Sequence, residues 1–123
     1  MIEKTTLVLG ASPNPERYSN RAVKTLQKKS IPVIAIGKRE YHMDGLDIIK
    51  GMPHDIGPVH TVALYLNAKN QEEYYDYILS LNPQRIIFNP GTSNEEFEDR
   101  LSQTTDIEVC TDCMLAMLAC GQF

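Results

Sequence analysis

Short apolar runs alternate along the chain with stretches in which apolar side chains return every three or four positions, a strand-then-helix rhythm. Residues 5–10, TTLVLG, are β-branched and apolar and stop at a glycine, which predicts a buried strand. Over residues 19–29 the spacing of Ala22, Val23 and Leu26 predicts a helix, with Ser19 placed to act as its N-cap. A second strand is predicted over residues 32–36, PVIAI, where Pro32 is tolerated at the strand's beginning and Gly37 closes it. Residues 40–58 carry Gly45, Gly51, Pro53, Gly57 and Pro58, which predicts a loop-rich crossing with one short strand near Ile48. A third strand, residues 60–66 (HTVALYL), leads to a helix over residues 70–81 in which Tyr74, Tyr77, Ile78 and Leu81 share a face. Tyrosines at that spacing read as packing residues rather than as a stacking platform. Residues 85–89, RIIFN, predict a fourth strand, Ser93 or Asn94 a cap for a helix running to Leu101, and residues 107–110, IEVC, a fifth strand.

Apolar strands joined by amphipathic helices fit a parallel sheet covered on both faces, with right-handed crossovers. The expectation is an α/β fold: a Rossmann-like, doubly wound three-layer sandwich with a mainly parallel sheet of about five strands. A chain of 123 residues has room for one core, so residues 1–123 are expected to form one domain with little space for a separate catalytic one.

Charge narrows the partners. Twelve Lys and Arg against 16 Asp and Glu leave a formal net charge of −4, which argues against broad attraction to nucleic acid or anionic lipid. No run approaches the ~18 apolar residues of a membrane span, and the opening MIEKTTLVLGAS is too short an apolar stretch for a secretory signal, so a cytoplasmic location is expected. Cys110, Cys113 and Cys120 are odd in number and crowded at one end, which points to reduced thiols rather than a disulfide framework.

In a doubly wound sheet, ligands sit beyond the carboxyl ends of the strands. After the first strand come Gly10, Ala11 and Ser12, small enough to let backbone amides approach a phosphate, with Arg17, Ser19 and Asn20 supplying donors near the helix start. The turn has one glycine where a dinucleotide fingerprint has three. After the second strand stand Lys38 and Arg39, where an NAD-binding domain would place a carboxylate; a cation there suits a phosphorylated ribose, either the 2′-phosphate of NADP or the 3′-phosphate of coenzyme A. A solvated charged turn is the competing reading of that pair. Tyr65, Leu66 and Asn67 follow the third strand, and Asn89, Pro90 and Gly91 the fourth, where Pro90 fixes a turn and Gly91 permits a positive φ or close approach.

The ordered set LVLGASPNPERYSNRAVKTL, PVIAIGKRE, NPGTSNEE and VCTDCML resembles the small CoA-binding domain proteins, stand-alone domains similar to the nucleotide-binding portion of the succinyl-CoA synthetase α subunit and of NDP-forming acyl-CoA synthetases. The likeness runs over nearly the whole chain. It implies that Gly10, Ala11, Ser12, Arg17 and Ser19 meet the CoA pyrophosphate, that Lys38 meets the nucleotide phosphate, and that Tyr65, Leu66, Asn89, Pro90 and Gly91 form the rest of the groove. The chain departs from the family at the end of the second strand, where Asn-Pro is common and Ile36-Gly37 stands here. The synthetases' phosphohistidine region has no room in so short a chain.

No Ser-His-Asp order, paired-carboxylate motif or Walker loop is present, and His42, His54 and His60 show no ligand spacing. Cys110 and Cys113 form a C-x-x-C unit without a second partner pair, so a resting thiol outweighs a redox or zinc role. The expectation is a module that binds coenzyme A or an acyl-CoA without chemistry of its own. The alternative is an NAD(P)-binding oxidoreductase or redox-sensing subunit, preferring NADPH through Lys38 and Arg39 and carrying a thiol that titrates below about 8.5. A protein partner or a homodimer stays open.

Overall fold

The computed structural model describes residues 4–43 and 45–123; the first three residues of the leader reading lie outside them. Strand β1 (Thr6–Leu9) is buried at every position and pairs in parallel with β2 (Val33–Gly37) on one side and β5 (Thr61–Leu64) on the other. Such a strand has no solvent face, which is why TTLVLG reads as an unbroken apolar run instead of an alternation.

Among the described residues the sheet has seven strands in the order β3-β4-β2-β1-β5-β6-β7, where β3 is Tyr41–Met43, β4 Leu46–Lys50, β6 Arg85–Phe88 and β7 Glu108–Cys110. Only β3 runs antiparallel to its neighbour. The strand expected near Ile48 is β4, beside β2. The loop-rich reading missed β3 because it is a three-residue edge strand, largely exposed, with no alternation to betray it. Seven strands therefore replace about five.

Helices cover both faces. Val8 packs with Ala22, Val23 and Leu26 of α1 (Tyr18–Lys28) and with Met114, Met117 and Leu118 of α5 (Met114–Ala119). Leu7 and Leu9 turn the other way, onto Tyr77 and Ile78 of α3 (Tyr75–Leu81) and Phe97 and Leu101 of α4 (Glu95–Thr104). This is the three-layer, doubly wound α/β architecture of a Rossmann-like fold, with the strand order turning back between β1 and β5. No described helix is long and apolar enough to cross a membrane.

Two helix starts differ from expectation. The helix expected over 70–81 comes in pieces: α2 (Ala68–Gln71), capped by Asn67 Oδ1, which accepts from Asn70 N at 2.9 Å, then a 3₁₀ turn over Glu72–Tyr74, then α3. Helix α1 begins one residue early, with Arg17 at the N-cap and no side-chain cap, so Ser19 is a buried residue within its first turn. The loop before it sets that start: Ser12 Oγ accepts from Asn14 N at 3.1 Å, Asn14 Oδ1 from Glu16 N at 3.0 Å, and Arg17 N donates to Asn14 O at 3.0 Å. Asn94 caps α4 as expected, its Oδ1 accepting from Phe97 N at 3.1 Å.

Candidate functional site

At the reversal point, beyond the carboxyl ends of β1, β5 and β6 and beside the start of α1, lies a cleft of about 630 Å³. The first-strand group Gly10, Ala11, Ser12, Arg17 and Ser19 lines it, together with Lys38 from the end of β2. So do Tyr65, Leu66, Pro90 and Gly91. Asn89 does not.

The glycine turn is built differently from the sequence expectation. The N–H groups of Gly10 and Ala11 both donate to Ile36 O at 2.9 Å, so these two amides are committed to the sheet and are not free to meet an anion. No hydrogen bond among the described residues engages the N–H of Ser12, Tyr18 or Ser19. With no side chain capping it, the positive end of the α1 dipole opens into the cleft, and Arg17 stands exposed beside it. Gly10 has φ +100°, and a Cβ there would come 3.0 Å from the Tyr65 carbonyl carbon, so both its conformation and its neighbours require glycine. Lys38 and Arg39 are exposed at the same end of the cleft, where β2 runs out.

Asn89 sits behind the wall. Its side-chain nitrogen donates to Leu64 O at 3.0 Å, and its Oδ1 accepts from Met114 N, the first residue of α5, at 2.8 Å. Buried to 2 % exposure, it ties two strand ends to a helix start rather than facing a ligand. Its carbonyl accepts from Thr92 N at 3.0 Å across Pro90 and Gly91, with Gly91 at φ +88°, which closes a type II turn.

Thr92, Asn70, Tyr18 and Pro13 also line the cleft and were not singled out from sequence. Tyr18 directly follows Arg17 at the helix start, a position that could have marked it; Asn70 and Thr92 carry no local signal. Tyr65 projects its hydroxyl into the protein, where the oxygen is buried without a partner among the described residues, and burial pushes its phenol pKa up.

All three cysteines are free thiols. Cys110 Sγ lies 3.9 Å from Met117 Sδ, and burial, followed by the nearby Asp112, raises its thiol pKa, the opposite of the lowered value a redox role asks for. Among the described residues no group of three His, Cys, Asp or Glu is placed to hold a metal. His60 pairs through Nδ1 with Thr61 Oγ1 at 2.7 Å.

No curated protein matches the chain. Among solved structures, a crystal structure described only as that of an uncharacterised protein is 44% identical, with TM-score 0.92 and complete coverage of both chains. A Thermus thermophilus protein shares the fold at TM-score 0.85 and 22% identity, over 98% of this chain and 91% of that one. A hypothetical protein from Pyrococcus horikoshii OT3 does so at TM-score 0.79 and 24% identity, over 93% and 80%. The family model described as CoA binding domain matches residues 4–119, which hold every described strand and helix, and on that match the chain belongs to the CoA-binding domain family.

Proposed function

We propose that residues 1–123 act as one binding unit for coenzyme A or an acyl-CoA, gripping its nucleotide and pyrophosphate and carrying out no reaction on it. The supporting observation is the uncapped start of α1 opening, with Arg17, into a cleft that has Lys38 and Arg39 at the same end. In this reading the pyrophosphate lies against the N–H groups of Ser12, Tyr18 and Ser19. An anion placed at a helix N-terminus gains about 0.3–1 kcal/mol, and its bond to the exposed Arg17 adds about 1 kcal/mol at low salt. Lys38, with Arg39 beside it, takes the 3′-phosphate of the ribose.

The remainder of the cleft, from Tyr65 to Asn70 and from Pro90 to Thr92, is lined by Tyr65, Leu66, Asn67, Asn70 and the Pro90–Thr92 turn, with no charged side chain. A polyanionic head and a neutral amide tail match that division, and coenzyme A has both. NADP would use the same two cations, but the raised Cys110 thiol lends no support to a redox role for that cysteine.

Isothermal titration with CoA and with 3′-dephospho-CoA tests the reading. Saturable heat with CoA, weaker without the 3′-phosphate, is expected. Equal and negligible heats for both, or saturable binding of NADPH alone, would overturn it, and turnover of acetyl-CoA above background would overturn its claim of no chemistry.

A further inference from the structure

Two loops close the uncharged end of the cleft, and one fully buried side chain holds them together. Leu66 follows β5 and Thr92 follows the turn after β6, and both line the cleft. Gln71, at 0% exposure in α2, donates both hydrogens of its side-chain nitrogen to their backbone carbonyls, at 2.8 Å to Leu66 O and 2.7 Å to Thr92 O. Its Oε1 accepts from Asn94 Nδ2 at 2.9 Å, and the same Asn94 nitrogen donates to Tyr75 Oη at 2.7 Å. Asn94 in turn caps α4 through Oδ1, while its own N–H donates to Glu98 Oε2 at 2.8 Å. Every polar atom of the Gln71 amide is therefore engaged, and the chain of bonds is anchored on a helix terminus.

Two carbonyls turned toward the same buried point repel unless a donor stands between them. We infer that Gln71 is a positioning residue: it sets the spacing of the Leu66 and Thr92 loops, and thereby the fit of the ligand's neutral tail, without touching the ligand. The inference rests on the proposed binding of CoA in this cleft. A side chain that only holds the fold would lower the unfolding midpoint and leave the affinity of the folded chain unchanged; a positioning one moves affinity as well.

The test is titration of the intact chain with CoA, well below the unfolding midpoint, for wild type, Gln71→Met and Gln71→Glu. Gln71→Met keeps the length and loses every hydrogen bond, and its Kd is expected to rise about tenfold, the weight of ~1.4 kcal/mol. Gln71→Glu keeps the acceptor for Asn94 but, when ionised, turns an oxygen toward both carbonyls. Its Kd relative to wild type is expected to be raised most at about pH 8 and to recover toward about pH 5.5, as a carboxyl with a burial-raised pKa regains a proton to donate. A folded Gln71→Met with a Kd within about twofold of wild type overturns the inference, and so does a Gln71→Glu ratio that is flat with pH. Should Gln71→Glu fail to fold, Gln71→Met decides. Absence of CoA binding by the wild-type chain instead removes the proposed function, and this inference with it.

Discussion

A Cβ on Gly37 would stand 2.4 Å from the carbonyl oxygen of Ala11 and 2.9 Å from Ile48 Cγ2. The end of β2 is thus pressed against the turn after β1, with Ile36 O accepting the Gly10 and Ala11 amides one residue earlier. Backbone, unlike the far end of a side chain, cannot give way cheaply. Gly37→Ala is expected to cost about 1–3 kcal/mol in urea unfolding and to weaken CoA binding by shifting Ser12 and Lys38 apart. A variant as stable as wild type would show that the turn yields freely.

Asn89→Ala leaves the Leu64 carbonyl and the first N–H of α5 without their partner, both behind the cleft wall. Each unpaired buried group costs about 1–3 kcal/mol, so a loss near the sum of two is expected by chemical denaturation. Asn89→Asp keeps the acceptor for Met114 and turns a carboxylate toward Leu64 O. It should be less stable than wild type by a margin that narrows as the pH falls toward about 4, where the carboxyl takes up a proton. A margin independent of pH would mean that the side chain does not face Leu64.

The contrast between these two residues shows what the sequence could convey. Alternation of apolar runs and helical spacing exposed β1, β2, β5 and β6, because strands covered on both faces must be largely apolar, and the short run IEVC marked the edge strand β7. The order of small residues and cations after those strands brought twelve of the fourteen singled-out positions to one cleft, while Asn20, which donates to Ser12 O, and Asn89 are buried beside it. Hydrogen-bond direction was not legible: nothing in GAS indicates that Ile36 accepts two of its amides. Nor does NPG indicate that Asn89 points inward to Met114 while Gly91 opens outward. Gln71 was invisible for the same reason, since a glutamine in a short helix looks like solvent-facing polarity until Leu66 and Thr92 are brought to it from separate loops.

Tyr65 offers a gain in stability. Its hydroxyl oxygen is buried without a hydrogen-bond partner among the described residues, so it carries a desolvation cost with nothing returned. Tyr65→Phe is expected to raise the unfolding free energy by about 1 kcal/mol, read from denaturant midpoints at constant m. A drop of similar size would reveal a partner that the phenol meets in solution.

Lys38→Ala separates the nucleotide phosphate from the rest of the ligand. The side chain is exposed, so its bond to a 3′-phosphate is expected to contribute about 1 kcal/mol, or roughly fivefold in Kd, at low salt. The affinity for CoA should fall by that factor while the affinity for 3′-dephospho-CoA stays as it was. Equal loss for both ligands would place the lysine on the pyrophosphate instead.

His60 gives the fold a dependence on pH at the opposite end of the sheet, just before β5. Burial, then the positive charges of Arg85 and Lys4, hold its pKa below the ordinary 6.5, with Glu108 opposing them. The folded imidazole thus releases its proton at a lower pH than the unfolded one, and between the two values the unfolded chain binds more protons. Stability must therefore rise with pH across that window, be complete above about 6.5, and be lost as the pH falls through the folded value. The unfolding free energies of wild type and of His60→Gln, measured between about pH 5 and 7.5, should differ by an amount that grows with pH and levels off near neutrality. Parallel curves would mean that the ring is as free to charge in the folded protein as in the open chain, and that neither its burial nor the Arg85 guanidinium acts on it.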